Sequence, residues 1–123
     1  MIIVDTSIWI DHLRSQHPFL TRLLHDGEVL VHPLVVGELA CGSLPNRASF
    51  LRLLNDMPAA SIATHDEVMH FIEHAKLYSR GVGYMDVSLL ASVRLTAGAS
   101  IWTRDKRLKQ LADELGLGTQ ISH

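Results

Sequence analysis

Residues 1–11 read MIIVDTSIWID, and this opening decides the fold class. The apolar run Ile2-Ile3-Val4 has the β-branched character of a buried strand. It ends on a carboxylate, Asp5, followed by two hydroxyl residues and a second apolar group, IWI. A bare charge at the end of a buried strand costs several kcal/mol unless something compensates it. The rest of the chain has to supply that compensation.

Outward from residue 11, apolar runs alternate with helical patterns. Strands alternating with helices predict an α/β fold, a mostly parallel central sheet flanked by helices. The first strand is expected over residues 2–5, then a helix from Ser7 to Arg14 capped by Thr6 or Ser7. HPFLTRLLHDG predicts a second helix with Pro18 near its start and Gly27 at its end. EVLVH reads as a short strand, PLVVGELACGS and RASFLRLLNDM as helices, and SIA (61–63) as a third strand. The longest helix is expected over residues 65–80, with Val68, Phe71, Ile72 and Ala75 on its buried stripe. RGVG breaks the chain before an apolar helix over 85–97. SIWT is a further strand, DKRLKQLADELG a last helix, and TQIS a final edge strand.

At 123 residues, the chain is expected to form a single domain, 1–123. Its 47% hydrophobic and 20% charged content places it among globular rather than disordered proteins. The lone Cys41 excludes an intramolecular disulfide and a cysteine-based zinc site. No apolar stretch approaches the ~18 residues of a membrane span. The N-terminus lacks the basic flank and small-residue cleavage site of a signal peptide, so a cytoplasmic location is expected. A net charge of −2 means that any anionic partner has to be held by a local basic patch.

Asp26, Asp56, Asp113 and Glu114 fall at helix ends or on polar faces, as surface acids do. Four others do not fit that pattern. Asp5 ends the first strand. Glu38 shares a helix stripe with Leu34, Val35 and Cys41. Asp86 heads a stripe continuing through Leu89, Leu90 and Val93, and Asp105 follows SIWT. In an open α/β sheet, ligands bind in the crevice beyond the carboxyl ends of the strands. The N-terminal parts of the helices carrying Glu38 and Asp86 are expected to point there. Each acid taken alone is also explained by a helix cap or an arginine partner, Asp105 most simply of all. Four converging acids would repel one another unless a cation intervened. An all-oxygen set suits Mg2+ or Mn2+ rather than zinc. The expected partner of Asp5 is therefore a metal ion shared with the other three. Thr6, Ser7 and Thr103 flank the same strand ends, as groups that orient carboxylates or water, or as simple caps.

IIVDTSIWIDHLR, VVGELACGS, GVGYMDVSLLASVRL and IWTRDKRLKQLADELG together resemble the PIN-domain ribonucleases, and within them the VapC toxins of bacterial toxin–antitoxin pairs. The resemblance covers nearly the whole chain in order. The family's four acids match Asp5, Glu38, Asp86 and Asp105. Its hydroxyl before the fourth acid matches Thr103, and its small polar residue after the first matches Thr6 or Ser7. The resemblance implies a Mg2+- or Mn2+-dependent endoribonuclease in which water activated at the carboxylate site hydrolyses RNA. It also implies neutralisation by a VapB-type antitoxin and a homodimer.

Such chemistry needs no nucleophilic side chain. Substrate contact falls to RDKRLK, where Arg104, Lys106, Arg107 and Lys109 cluster beside Asp105. Arg80 and Tyr84, before Asp86, are further candidates, by charge and by stacking. The plain alternative for the tract is a solvated helix face, and it suits Lys109 best. Trp9 and Trp102 lie in apolar segments, as core residues do.

Two rival readings are weaker. HFIEH (70–74) matches the H-x-x-E-H pattern of a zinc protease, a zinc site at His70/His74. Both histidines fall off the buried stripe, and a third ligand is missing. A non-catalytic phosphoacceptor or interaction domain fits the size. A receiver domain, however, needs paired acids after the first strand and a late Lys-Pro, and this chain has neither.

Overall fold

The computed structural model describes residues 1–121. Among these, three strands and seven helices follow one another. They are β1 (Ile2–Val4), α1 (Thr6–Arg14), α2 (Pro18–His25), β2 (Val29–Leu30), α3 (Pro33–Ala40), α4 (Arg47–Asn55), α5 (His65–His74), α6 (Tyr84–Leu95), β3 (Ser100–Trp102) and α7 (Lys106–Glu114). The sheet runs β2-β1-β3, and both pairings are parallel. All three carboxyl ends therefore lie along one edge. The chain first moves to one side of β1 and later returns on the other, so the order reverses at β1. Asp5 sits at that reversal, the usual ligand crevice of an open α/β sheet.

Apolar side chains account for the layers. Ile3 and Val4 of β1 and Ile101 of β3 are buried. They pack with Leu20, Leu54, Leu89, Leu90, Leu108 and Leu111 from the covering helices. Residues 87–93 of α6 are buried without a break, so this helix is enclosed on all sides. Trp9 and Trp102 belong to the core, Trp9 edge-on to Phe50 and Trp102 against His17 and Phe19.

Several boundaries differ from the sequence reading, for local reasons. Asp5 is not the last strand residue. It is the N-cap of α1, accepting the Thr6 N–H, and this displaces Thr6 and Ser7 from the capping position. EVLVH pairs only through Val29–Leu30, with a single further bridge from Val31 to Ala59. SIA forms no strand. Its Ser61 N–H donates to the side chain of Thr96, the C-cap of α6, and its Ala63 N–H to that of Ser92 on α6. The helix expected over 65–80 stops at His74. Lys76 takes a left-handed φ of 55°, and the Leu77 N–H closes back on the Ile72 carbonyl, a Schellman ending. The longest helix is thus α6, with 12 residues, beginning at Tyr84 and ending at Leu95 rather than 97. The expected TQIS strand reduces to a parallel bridge between Gly118 and Ile101, with the Thr119 N–H bonded to the Ile101 carbonyl. Ser122 lies outside the described residues.

Candidate functional site

Three of the four singled-out acids stand at helix beginnings on the carboxyl edge. Asp5 is the N-cap of α1, Asp105 is the N-cap of α7, and Asp86 lies in the first turn of α6. Unpaired N–H groups and the helix dipole favour negative charge at each of these places. The plain capping explanation is therefore correct in part. Asp105 Oδ1 accepts the Leu108 N–H at 3.0 Å, and Asp86 Oδ2 accepts the Gly83 N–H at 3.2 Å.

Asp5 is buried, with 8% of its surface exposed. Its compensation is neutral: Oδ1 takes the Thr6 N–H at 2.8 Å, and Oδ2 takes the hydroxyls of Thr103 at 2.7 Å and Ser7 at 3.1 Å. The protein itself thus satisfies the carboxylate that the sequence reading left to a cation. Thr103 Oγ1 also accepts the Asp105 N–H at 3.0 Å, and Ser7 Oγ accepts the Arg104 N–H at 3.2 Å. These two hydroxyls tie the end of β3 and the start of α7 to Asp5.

Glu38 departs from expectation. It lies in the C-terminal half of α3, and it is exposed, as are Leu34 and Cys41 on the stripe assigned to it. The Thr6 hydroxyl brings it to the site by donating to Glu38 Oε1 at 2.5 Å. Asp86 is half-buried, and burial raises its carboxyl pKa. The Gly83 N–H opposes that rise, while the charges of Asp5, Asp105 and Glu38 add to it. The four acids therefore share one electrostatic field. Among the described residues none of them is in an ion pair with Lys, Arg or His.

Among the described residues, no three His, Cys, Asp or Glu side chains are gathered tightly enough to hold a metal ion as they stand. The donor chemistry still fits a hard divalent cation. It consists of carboxylate oxygens alone, mutually repelling and without a basic partner.

The basic residues divide into two groups. Arg104 pairs with Asp11, Arg80 with Glu114, and Lys109 with Asp113. Lys106 and Arg107 are exposed and have no acidic partner among the described residues. The Arg107 side chain lies against Gly81, where φ is +79° and an added Cβ would come within 2.6 Å of Arg107 Cδ. The RGVG loop thereby holds Arg107 beside the start of α6. Tyr84 is exposed there, its hydroxyl 2.7 Å from His65 Nδ1. His70 and His74 stack at 5.6 Å on the outer face of α5.

Sequence reasoning missed His32 and His17. Each precedes a proline that opens a helix, and each caps that helix by accepting the N–H two residues on. The His-Pro pair at both helix starts was the available signal. A cavity of about 480 Å3 lies off this edge, lined in part by Asp11, His17, Trp102 and Arg104. It contains none of the four acids.

The family model described as PIN domain matches residues 2–114. Ribonuclease VapC32 from two Mycobacterium tuberculosis strains, CDC 1551 / Oshkosh and ATCC 25618 / H37Rv, is 48% identical over 117 residues. The alignment covers 95% of this chain and 94% of each relative. With a parallel three-stranded sheet wrapped by helices and acids along its carboxyl edge, the chain belongs to the PIN-domain family, on its VapC branch.

Proposed function

We propose that this PIN domain is a Mg2+- or Mn2+-dependent endoribonuclease, the toxin of a pair whose other member is a VapB-type antitoxin. It acts in the cytoplasm as a homodimer. The observation that supports the catalytic reading best is the common field of Asp5, Glu38, Asp86 and Asp105 at the sheet's reversal point, with no basic side chain paired to any of them among the described residues.

Those four residues would hold the ion. Bound there, a divalent cation supplies Lewis-acid polarisation of a phosphodiester and a lowered pKa for water. The chain's own groups do the rest. Thr103 and Ser7 orient Asp5, leaving its remaining lone pairs for the crevice. Thr6 turns Glu38 inward from α3. Asp86 directly precedes the buried run 87–93 of α6, which limits its movement. Lys106 and Arg107, exposed in the first turn of α7, hold RNA phosphates. Arg104 and Arg80 can join them, since exposed ion pairs contribute only ~0–1 kcal/mol and are readily exchanged for a phosphate. Tyr84 offers a face on which an unpaired base can stack.

The test is RNA cleavage by the purified chain in Mg2+ or Mn2+, with and without EDTA. Cleavage that stops on chelation supports the proposal. Cleavage undiminished by EDTA overturns the metal mechanism.

A further inference from the structure

One buried polar pair takes no part in the acid cluster yet joins two of the helices that build it. His32, at the junction of β2 and α3, is 2% exposed, and Ser92, on α6, is fully buried. His32 Nδ1 accepts the Leu34 N–H at 3.1 Å, so that nitrogen carries no proton. Its Nε2–H is therefore the donor to Ser92 Oγ, 3.0 Å away. Ser92 is itself held in place. Its hydroxyl oxygen also accepts the Ala63 N–H at 3.4 Å, and its carbonyl accepts the Thr96 hydroxyl at 2.7 Å.

Glu38 lies six residues after His32 along α3, and Asp86 lies six residues before Ser92 along α6. Six helical residues span about 9 Å. The join thus lies six residues along the chain from an acid on each of two different helices. Apolar burial is non-directional, so it sets the distance between helices better than their rotation or sliding. A two-ended hydrogen bond through a rigid ring sets both.

We infer that His32 is a positioning residue: by joining the first turn of α3 to Ser92 of α6, it sets where Glu38 stands relative to Asp86. The inference rests on the reading of those acids as parts of one ion-binding site.

Three variants separate the two ends of the join. His32→Asn keeps a side-chain acceptor near Nδ1 and preserves the α3 cap, but it does not reach Ser92. His32→Gln places a donor near Nε2 and gives up the cap. Ser92→Ala removes the acceptor on α6. Positioning predicts that His32→Asn and Ser92→Ala weaken Mg2+ binding by about ten-fold, the usual effect of losing a group that orients ligands. Turnover falls with it, while His32→Gln stays near the parent in both despite a lower melting temperature. A purely structural role predicts that Mg2+ affinity is unmoved in all three below their melting temperatures.

A metal-free measurement keeps this test distinct from that of the proposed function. Spin labels on Cys41, which follows α3, and on Leu95→Cys at the end of α6 report the geometry of the two helices directly. The distance distribution should be narrow in the parent and in His32→Gln, and shifted or broadened in His32→Asn and Ser92→Ala. An unchanged distribution overturns the inference, whatever the activity. A changed distribution in a protein with no metal-dependent cleavage leaves the join standing and removes the ion-binding reading.

Discussion

Thr103 donates its hydroxyl hydrogen to Asp5 Oδ2 at 2.7 Å, joining residues 98 positions apart at the ends of two neighbouring strands. Both residues are buried. The same oxygen of Thr103 accepts the N–H of Asp105, so one hydroxyl touches two of the four acids. Ser7 repeats the device, donating to Asp5 and accepting from the backbone of Arg104. The strand ends are thus joined through side chains where the sheet's own hydrogen bonds stop.

Thr103→Val keeps the shape of this side chain and removes its hydroxyl. It leaves a buried carboxylate short of one donor and the Asp105 N–H without its acceptor. A stability loss of ~1–3 kcal/mol is expected, with a ~10–100-fold fall in ribonuclease activity. Thr103→Ser should restore most of both. Urea unfolding and initial cleavage rates check this, and a Val variant with parental stability would show that the bond to Asp5 is dispensable.

How much of this the sequence carried depends on how local each signal was. The parallel α/β order was legible because strand and helix patterns each declare themselves within a few residues. The placement of Asp5, Asp86 and Asp105 beside the sheet edge was legible for a related reason, since each stands where a helix begins. The end of α5 was not, because its left-handed residue is Lys76 rather than glycine and Leu77 prolongs the apolar period. Glu38 shares its predicted stripe with Leu34, Val35 and Cys41, of which only Val35 is buried, and what brings it in is a hydrogen bond to Thr6, 32 residues away. Contacts at such separation leave no periodic trace. The pairing of Arg104 with Asp11 and of Arg80 with Glu114 was hidden in the same way.

Those pairings rank the basic residues for RNA binding. Lys106→Ala with Arg107→Ala removes two cations that have no acidic partner among the described residues, so each lost phosphate contact should reduce the slope of log affinity against log salt by ~0.7 on single-stranded RNA. Arg80→Ala should change it less, because its charge is already offset by Glu114. Filter binding in EDTA across a salt series measures both. A larger slope change for Arg80→Ala would reverse the ranking.

His32 also shapes the acid limb of stability. Desolvation holds its imidazole below the ordinary value of 6.5. A base whose folded pKa is depressed contributes its full stability above the unfolded value. That contribution is lost as pH falls from there toward the folded value, because the unfolded chain takes up a proton that the native one refuses. Unfolding free energy should decline below about pH 6.5, and the decline should be shallower in His32→Gln. It should not vanish, since burial and the neighbouring His17 depress His12 in the same sense. Equal slopes in both proteins would remove His32 from the account.

The placement of Asp86 gives the sharpest separation between a charge held for an ion and one held for the fold. Burial and the charges of Asp5, Asp105 and Glu38 raise its carboxyl above 3.8. A raised folded pKa stabilises the native state below the unfolded value, and that benefit is lost as pH rises through the folded one. At neutral pH the ionised group is therefore a net burden on the metal-free protein. Asp86→Asn removes the charge, while its amide oxygen can still accept the Gly83 N–H that Asp86 Oδ2 takes now. The metal-free variant should melt at or above the parent. Mg2+ at 100 times its dissociation constant should add about 2.7 kcal/mol to the parent and distinctly less to the variant, and cleavage should be lost. If Asp86 serves only to cap the head of α6, the variant, which keeps the bond to the Gly83 N–H, should gain as much from Mg2+ as the parent and keep its activity. Thermal melts of both proteins in EDTA and in Mg2+, beside one cleavage assay, decide between the two.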